Sequence, residues 1–385
     1  GNIDKNTSPY LVGQYGNISL LPGNTESNLV INSAPNAKLR WEKTASYNVG
    51  LDFAMLNQAV NLSVDYYYRK GTDLIGTRML PLENGFSSMT INWASMENKG
   101  VEINLQTRNI TTKNFSWYTN LNFAYNQNKV LKENIPEDQR TPGREGYPVG
   151  AIFVLKTKGI DPETGRIQFV KKDGSVVTGE ELFGMTPDDF GMNTYAPADI
   201  SASEERDFYS YGGTSDAPYT GGLMNTFNYR NWELNVNLAY YFGAHVKTSP
   251  SYSITDYDPG RNTNRDILDR WTPENKDGKF PALVNLNYCP ADYYLFTDRK
   301  DIYRSLDMWV RPLNYVRLQN LRLGYRFPSE WLHRLNISGA TVALEARNLF
   351  VLGSNYNNYM DPESQSNLYM TPVPKSVTFN LSLNF

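Results

Sequence analysis

With 385 residues and a formal net charge of -3 from 37 basic and 40 acidic side chains, the chain exceeds most single globular cores but is within reach of one large barrel, and it offers nucleic acid neither a cationic field nor a basic stripe. Its 27 Tyr, 17 Phe and 7 Trp sit in a sequence that is polar on average, with a mean hydropathy of -0.53. No apolar run approaches the roughly 18 to 20 residues of a membrane-spanning helix, which excludes a helical membrane protein and leaves open a membrane β-barrel, whose strands dilute oily positions with polar ones.

Residues 1–44 are rich in Asn, Ser, Gly and Pro and read as a loop-rich lead-in. They carry no start methionine and no apolar leader, so the chain reads as a piece of something longer. The first strand runs from Ala45 to Met55, with Tyr47, Val49, Leu51 and Phe53 on one face and Ser46, Asn48, Gly50 and Asp52 on the other. A turn at Leu56-Asn57-Gln58 leads into a return strand from Ala59 to Arg69. Residues 71–99 read as an irregular connection, after which Gly100 to Arg108 and Asn114 to Asn126 form a second hairpin. A long excursion, 127–219, carries an internal hairpin, Ala151 to Lys158 returning through Arg166 to Lys171. Alternation resumes over 220–242, with strands Gly222 to Arg230 and Trp232 to Phe242. A second excursion covers 243–313, and closing strands at 314–327, 338–349 and 376–385 end the chain.

This is about nine spans of roughly 10 residues, the length that crosses an outer membrane when tilted. Their connections alternate short and long, as short periplasmic turns and long extracellular loops do. With the C-terminus on the short-turn, periplasmic side, Phe53, Phe115, Trp117, Tyr229, Trp232, Tyr325, Phe327 and Phe385 fall near one rim. Tyr47, Tyr66, Tyr68, Phe123, Tyr125, Tyr240 and Phe242 fall near the other. These are the expected aromatic girdles against outer-membrane lipid. The expected fold is therefore all-β, an antiparallel transmembrane β-barrel, with residues 45–126, 220–242 and 314–385 supplying strands.

At this level the sequence resembles the C-terminal part of the SusC/RagA family of TonB-dependent outer-membrane transporters. The resemblance is carried by Leu39-Arg40-Trp41-Glu42-Lys43-Thr44, Thr72-Asp73-Leu74-Ile75, Asn98-Lys99-Gly100-Val101-Glu102-Ile103 and Gly143-Arg144-Glu145-Gly146-Tyr147-Pro148-Val149-Gly150. It continues through Gly159-Ile160-Asp161-Pro162-Glu163-Thr164-Gly165, Arg270-Trp271-Thr272-Pro273-Glu274-Asn275, Ala346-Arg347-Asn348-Leu349-Phe350 and the terminal strand. It implies a barrel of about 22 strands with a plugged lumen, energised by a TonB complex through an N-terminal portion outside this sequence. It further implies a SusD-like surface lipoprotein as lid and an oligosaccharide or a peptide as cargo. In such barrels the terminal aromatic strand, here Phe379, Leu381, Leu383 and Phe385, is also an assembly signal.

Catalytic chemistry is not suggested. Asp189-Phe190-Gly191 lacks the companion motifs of a kinase, and His245 and His333 fall on opposite rims. The lone Cys289 permits no internal disulfide. No cofactor is expected, although Asp188 with Asp189, and Asp256 with Asp258, are weak calcium candidates in the long loops. Trp271, Tyr288, Tyr293, Tyr294, Tyr356 and Tyr359 are the candidates for contact with substrate or lid, since an aromatic face in a loop can stack on a sugar. Two other readings remain open: a passive porin or assembly barrel, and a soluble all-β carbohydrate-binding or hydrolytic protein.

Overall fold

The computed structural model describes every residue except 1–12, 22, 32–33, 87, 188–194, 197–199, 259, 334–335, 354–360 and 365–370. In chain order its strands are β1 (Gly13–Leu21), β2 (Asn24–Ile31), β3 (Lys43–Met55), β4 (Val60–Met79), β5 (Ser88–Thr111), β6 (Phe115–Lys132), β7 (Ala151–Leu155), β8 (Thr157–Ile160), β9 (Ile167–Val170), β10 (Val176–Val177), β11 (Thr186–Pro187) and β12 (Tyr195–Ala196). There follow β13 (Tyr209–Thr214), β14 (Tyr219–Tyr229), β15 (Trp232–Lys247), β16 (Val310–Arg326), β17 (Gly339–Arg347), β18 (Val351–Leu352) and β19 (Ser376–Asn384). Among the described residues the helices are short, and none is long and apolar enough to cross a membrane.

One sheet dominates, in the order β19-β17-β16-β15-β14-β6-β5-β4-β3 with β18 attached to β16. Each large strand lies beside its neighbour in sequence, which makes the sheet a meander. The observed ladders within it are antiparallel, β14 and β15 closing through a short turn while β6–β14 and β15–β16 pair across the long excursions. The turn from β3 to β4 uses positive φ at Leu56, Asn57 and Gln58, a tight reversal between two long strands.

Two compact units divide the chain. The first comprises Gly1–Val49, Tyr66–Gly100 and Gln127–Val149; the second comprises Gly50–Asp65, Val101–Asn126 and Gly150–Phe385. In the first unit, much of the expected irregular connection at 71–99 is instead strand, because β4 runs on to Met79 and β5 begins at Ser88. The two-sided contrast that marks a strand in sequence requires a sustained oily face, and this stretch has one only briefly, at Met89, Ile91 and Trp93. Side-chain bonds support it: Asn92 Nδ2 donates to both Arg40 O and Asp73 O at 2.7 Å.

In the second unit, the ladder between β14 and β15 pairs Tyr219 with Phe242 and Tyr229 with Trp232. Register therefore puts Leu223, Phe227, Leu234, Val236, Leu238, Leu321, Leu323, Val342, Leu344, Phe379 and Leu381 on one face. Glu233, Asn235, Asn237, Arg322, Glu345 and Asn380 share the other. Tyr240 lies across Gly221, where a Cβ would collide with its ring, and its hydroxyl donates to Asn122 O at 2.9 Å. The aromatic covers the gap that the glycine leaves in the sheet.

The two long excursions fold together onto one apolar core. Leu155, Phe169, Phe183 and Tyr209 from the first meet Ile254, Leu295, Phe296, Ile302, Leu306 and Trp309 from the second. The helix α1 (Gly179–Leu182) starts with a capping box at Thr178 and Glu181, α2 (Ala202–Arg206) starts with another at Ser201 and Glu204, and α3 (Pro290–Asp298) buries Ala291, Leu295 and Phe296. The expected hairpin from Ala151 to Lys171 forms only in part. β8 pairs with β9, but β7 pairs with β13, because Val154 and Leu155 are needed beside Tyr209 in the core.

Candidate transport surface

The polar face of the large sheet is a connected hydrogen-bonding wall. Arg322 Nη1 reaches Glu233 Oε1 at 2.6 Å, and Asn235 Nδ2 donates to the same oxygen at 2.8 Å. Thr226 Oγ1 donates to Asn235 Oδ1 at 2.7 Å. Two strands along, Arg347 Nε and Asn320 Nδ2 share Glu345 Oε1 at 2.6 and 3.1 Å. At the short-turn end, Arg230, Glu233, Arg322, Arg326, Thr341 and Ser382 help to line a groove of about 790 Å³.

Arg317 was missed. It lies on β16 opposite Ala239, is 2% exposed, and pairs with Asp361 and Glu363, the latter at 2.7 Å. Tyr315 OH also approaches Glu363 at 3.4 Å. The clamp ties the turn Pro362–Ser364 to the sheet. The available signal was an arginine at a polar-face position with an Asp-Pro-Glu sequence in the following loop.

The recognisable motifs turn out to be joints. In the first unit Arg40 and Lys43 both pair with Asp73, and Ile75 N donates to Glu42 Oε1 at 2.9 Å. Hydrogen bonding from Arg40 draws the Asp73 carboxyl down to about 2. Asn128 links two more motifs, donating to Asn98 Oδ1 at 2.8 Å and accepting from Val149 N at 2.7 Å. In the second unit Asp161 organises its own turn, accepting from Thr164 Oγ1 at 2.6 Å and from Glu163 N at 3.0 Å. Its pKa is lowered by those bonds. Trp271 Nε1 then donates to Pro162 O at 2.8 Å.

That last bond decides how the aromatic candidates sit. Trp271 is 6% exposed and stacked on Tyr288 at 6.2 Å, and Tyr288 OH donates to Thr164 O at 2.6 Å. Both are occupied in holding the 161–165 turn. Tyr293 and Tyr294 are half-buried on α3 and meet edge to face at 5.6 Å. Tyr356 and Tyr359, with Asp188 and Asp189, lie outside the described residues. Asp256 is paired with Lys300 at 3.1 Å and Asp258 with Arg261 at 3.3 Å. Among the described residues no group of three or more His, Cys, Asp or Glu is gathered to hold a metal.

Buried charges complete this region. Arg166 makes bonds of 2.9 and 2.8 Å to Asp292, and Arg299 makes bonds of 3.2 and 2.6 Å to Glu205. The bonds to Asp292 raise the Arg166 pKa, and bonds to Asp301 and Glu205 raise that of Arg299. Burial pushes the nearby Cys289 thiol up, so it is held as the neutral thiol.

Comparison with known proteins places this architecture. The family model described as TonB-dependent receptor-like β-barrel matches residues 3–166. TonB-dependent receptor P3 of Formosa agariphila is 27% identical over 98% of this chain, and TonB-dependent receptor SusC of Bacteroides thetaiotaomicron is 25% identical over 91%. Over nearly all of its length the chain is similar to TonB-dependent receptors of the SusC/RagA type. It spans 37% and 32% of the lengths of those two relatives. The solved structure of the RagAB peptide importer in the open-open state superposes on all of this chain and 38% of its own, with a TM-score of 0.77 at 24% identity, which establishes the fold. The large antiparallel sheet thus has the fold of a stretch of such a β-barrel. No enzyme family is among these matches.

Proposed function

We propose that the receptor containing this chain imports a bulky nutrient, an oligosaccharide or a peptide, across the outer membrane by TonB-dependent transport under a SusD-like lipoprotein lid. The observation that carries the reading is the pairing of a membrane-type sheet, oily on one face and lined with hydrogen-bonding groups on the other, with two excursions that share a folded core. A passive pore has less use for so large a structured surface beside its mouth, and a lid of matching size has every use for it. The oily face meets lipid, the polar face lines the lumen, and the C-terminus is periplasmic, with Phe379, Leu381, Leu383 and Phe385 presented as the assembly signal. Of the aromatic candidates, Tyr293 and Tyr294 remain the ones we assign to contact with substrate or lid, because Trp271 and Tyr288 are engaged within the fold.

Uptake of labelled oligosaccharides and peptides into cells carrying the full-length receptor tests this. One cargo class should accumulate, and accumulation should stop when TonB is removed. Accumulation that persists without TonB supports the passive-pore reading instead.

A further inference from the structure

Within the second unit a cleft of about 490 Å³ opens between the segment 249–256 and the helices α3 and α4 (Lys300–Arg304), a volume in the range of ligand sites. Its floor is apolar: Tyr252, Ile254, Phe296 and Tyr303 line it, and all four are buried. The core of the excursions holds them in place. Tyr303 meets Phe296 and Trp309 edge to face at 5.9 and 5.5 Å, and Tyr252 meets Phe280 in the same way at 5.9 Å.

The mouth of the cleft is charged. Lys300 and Arg304 stand four residues apart, on one face of α4, and both line the cleft. Lys300 reaches across to Asp256 at 3.1 Å with both side chains more than half exposed, so water weakens the pair and a second carboxylate can compete for the lysine. Arg304 is exposed, and its side chain has no hydrogen-bond or ion-pair partner among the described residues. The rim thus carries two cations against one carboxylate and has a guanidinium free for an anion.

A further group is unspent in the cleft wall. Tyr303 is 5% exposed, and its hydroxyl is enclosed without a hydrogen-bond partner. Burial pushes its pKa well up, so it stays a neutral hydroxyl. An enclosed hydroxyl with nothing to bond is held at a cost, which a polar group lodged in the cleft would remove.

These features select among solutes. A sugar is gripped by stacking on an open ring face, and here the rings are packed edge to face and nearly wholly buried. An acidic sugar would satisfy the rim and leave the apolar floor unused. An aliphatic side chain needs apolar surface but no particular orientation of it. A peptide ending in an apolar residue carries a carboxylate and an oily side chain on one carbon atom, and so fits rim and floor together. We infer that this cleft is a subsite for the C-terminal residue of a peptide cargo, with Arg304 and Lys300 holding the carboxylate and the apolar side chain lying against Ile254 and Phe296. The assignment rests on the import reading above and narrows its cargo to peptides.

Fluorescence polarisation on the full-length receptor in detergent tests the subsite with three labelled probes: a pentapeptide ending in leucine, the same peptide amidated at its C-terminus, and a glucuronic acid oligosaccharide. Wild type should bind the free acid about tenfold more tightly than the amide, the worth of a charge-assisted hydrogen bond. Arg304→Gln should abolish that preference and Arg304→Lys should keep most of it. Heat-modifiable migration and protease resistance should match wild type in both variants, because the Arg304 side chain is exposed. Equal affinity of wild type for acid and amide, an undiminished preference in Arg304→Gln, or a loss in that variant of oligosaccharide binding rather than peptide binding would each overturn the assignment. Peptide bound with the acid preference but never accumulated by cells in a TonB-dependent way would leave the subsite standing and count against the import reading; TonB-dependent uptake of the oligosaccharide alone would do the reverse.

Discussion

An arginine placed at Leu121 should damage the barrel, and the same arginine one residue later should not. Leu121 lies on the oily face of β6 opposite Leu223, in a ladder that runs from the Phe115–Tyr229 pair to the Tyr125–Tyr219 pair. It is six positions from Phe115 (121 − 115) and four from Tyr125 (125 − 121). At about 3.4 Å per residue and 45° of tilt this puts it roughly 14 Å above the short-turn aromatics, near the middle of an apolar band about 25 Å tall. An arginine at that depth costs about 2 to 4 kcal/mol, equivalent to a roughly 30- to 900-fold loss in the folded-to-unfolded ratio. Asn122 pairs with Gly222 on the polar face, where a guanidinium keeps its water. Urea titration of the full-length receptor in lipid vesicles, followed by heat-modifiable migration, should give Leu121→Arg a clearly lower midpoint than wild type and Asn122→Arg a midpoint close to it. Coincident midpoints for the two variants would refute the assignment of faces.

Arg166→Ala would leave the 3%-exposed Asp292 without its two-bond partner; a loss of about 3 to 5 kcal/mol in the folded excursions should appear as fast limited proteolysis between residues 150 and 310. Gly165→Ala should destabilise the same region by about 1 kcal/mol or more, since φ is +65° and a Cβ would lie 2.5 Å from the Trp271 ring; a red shift of tryptophan emission at lower urea would register it. Burial raises the Tyr209 hydroxyl to about 12, above its value of about 10 in the unfolded chain. That contribution to stability is complete below pH 10 and declines as pH rises from 10 through 12, so protease resistance of the excursions should fall across that window and be restored on Tyr209→Phe.

The strands that were legible in the sequence are those with one oily face. β3, β14 and β19 begin and end within three residues of the points where alternation starts and stops, and β6 and β15 begin there but run on to Lys132 and Lys247, because the membrane-facing side must be apolar only within the apolar band. Where β4 runs on past Arg69 and β5 begins before Gly100, no oily face is sustained beyond Met89, Ile91 and Trp93, and the pattern fades although the strand does not. The core of the excursions was invisible for a different reason. Phe169 and Leu295 belong to one cluster but lie in separate excursions with β14 and β15 between them, and no local period connects them.

The aromatic candidates illustrate the limit on reading sites. A tryptophan in a long loop has the right chemistry for a sugar face, but the same ring is equally able to cover a turn, and only its indole bond to Pro162 O decides between the two for Trp271. The motifs that make the chain recognisable behave in this way throughout. Arg40 with Asp73, Asn128 with Asn98 and Val149, and Trp271 with Pro162 each tie together segments distant in sequence. Barrel strands can exchange one apolar residue for another at small cost, so they carry little that is distinctive. A joint that pairs specific donors with specific acceptors tolerates few substitutions, which is why Arg40, Asp73, Asn128 and Trp271 stand out in the sequence while the barrel strands around them do not.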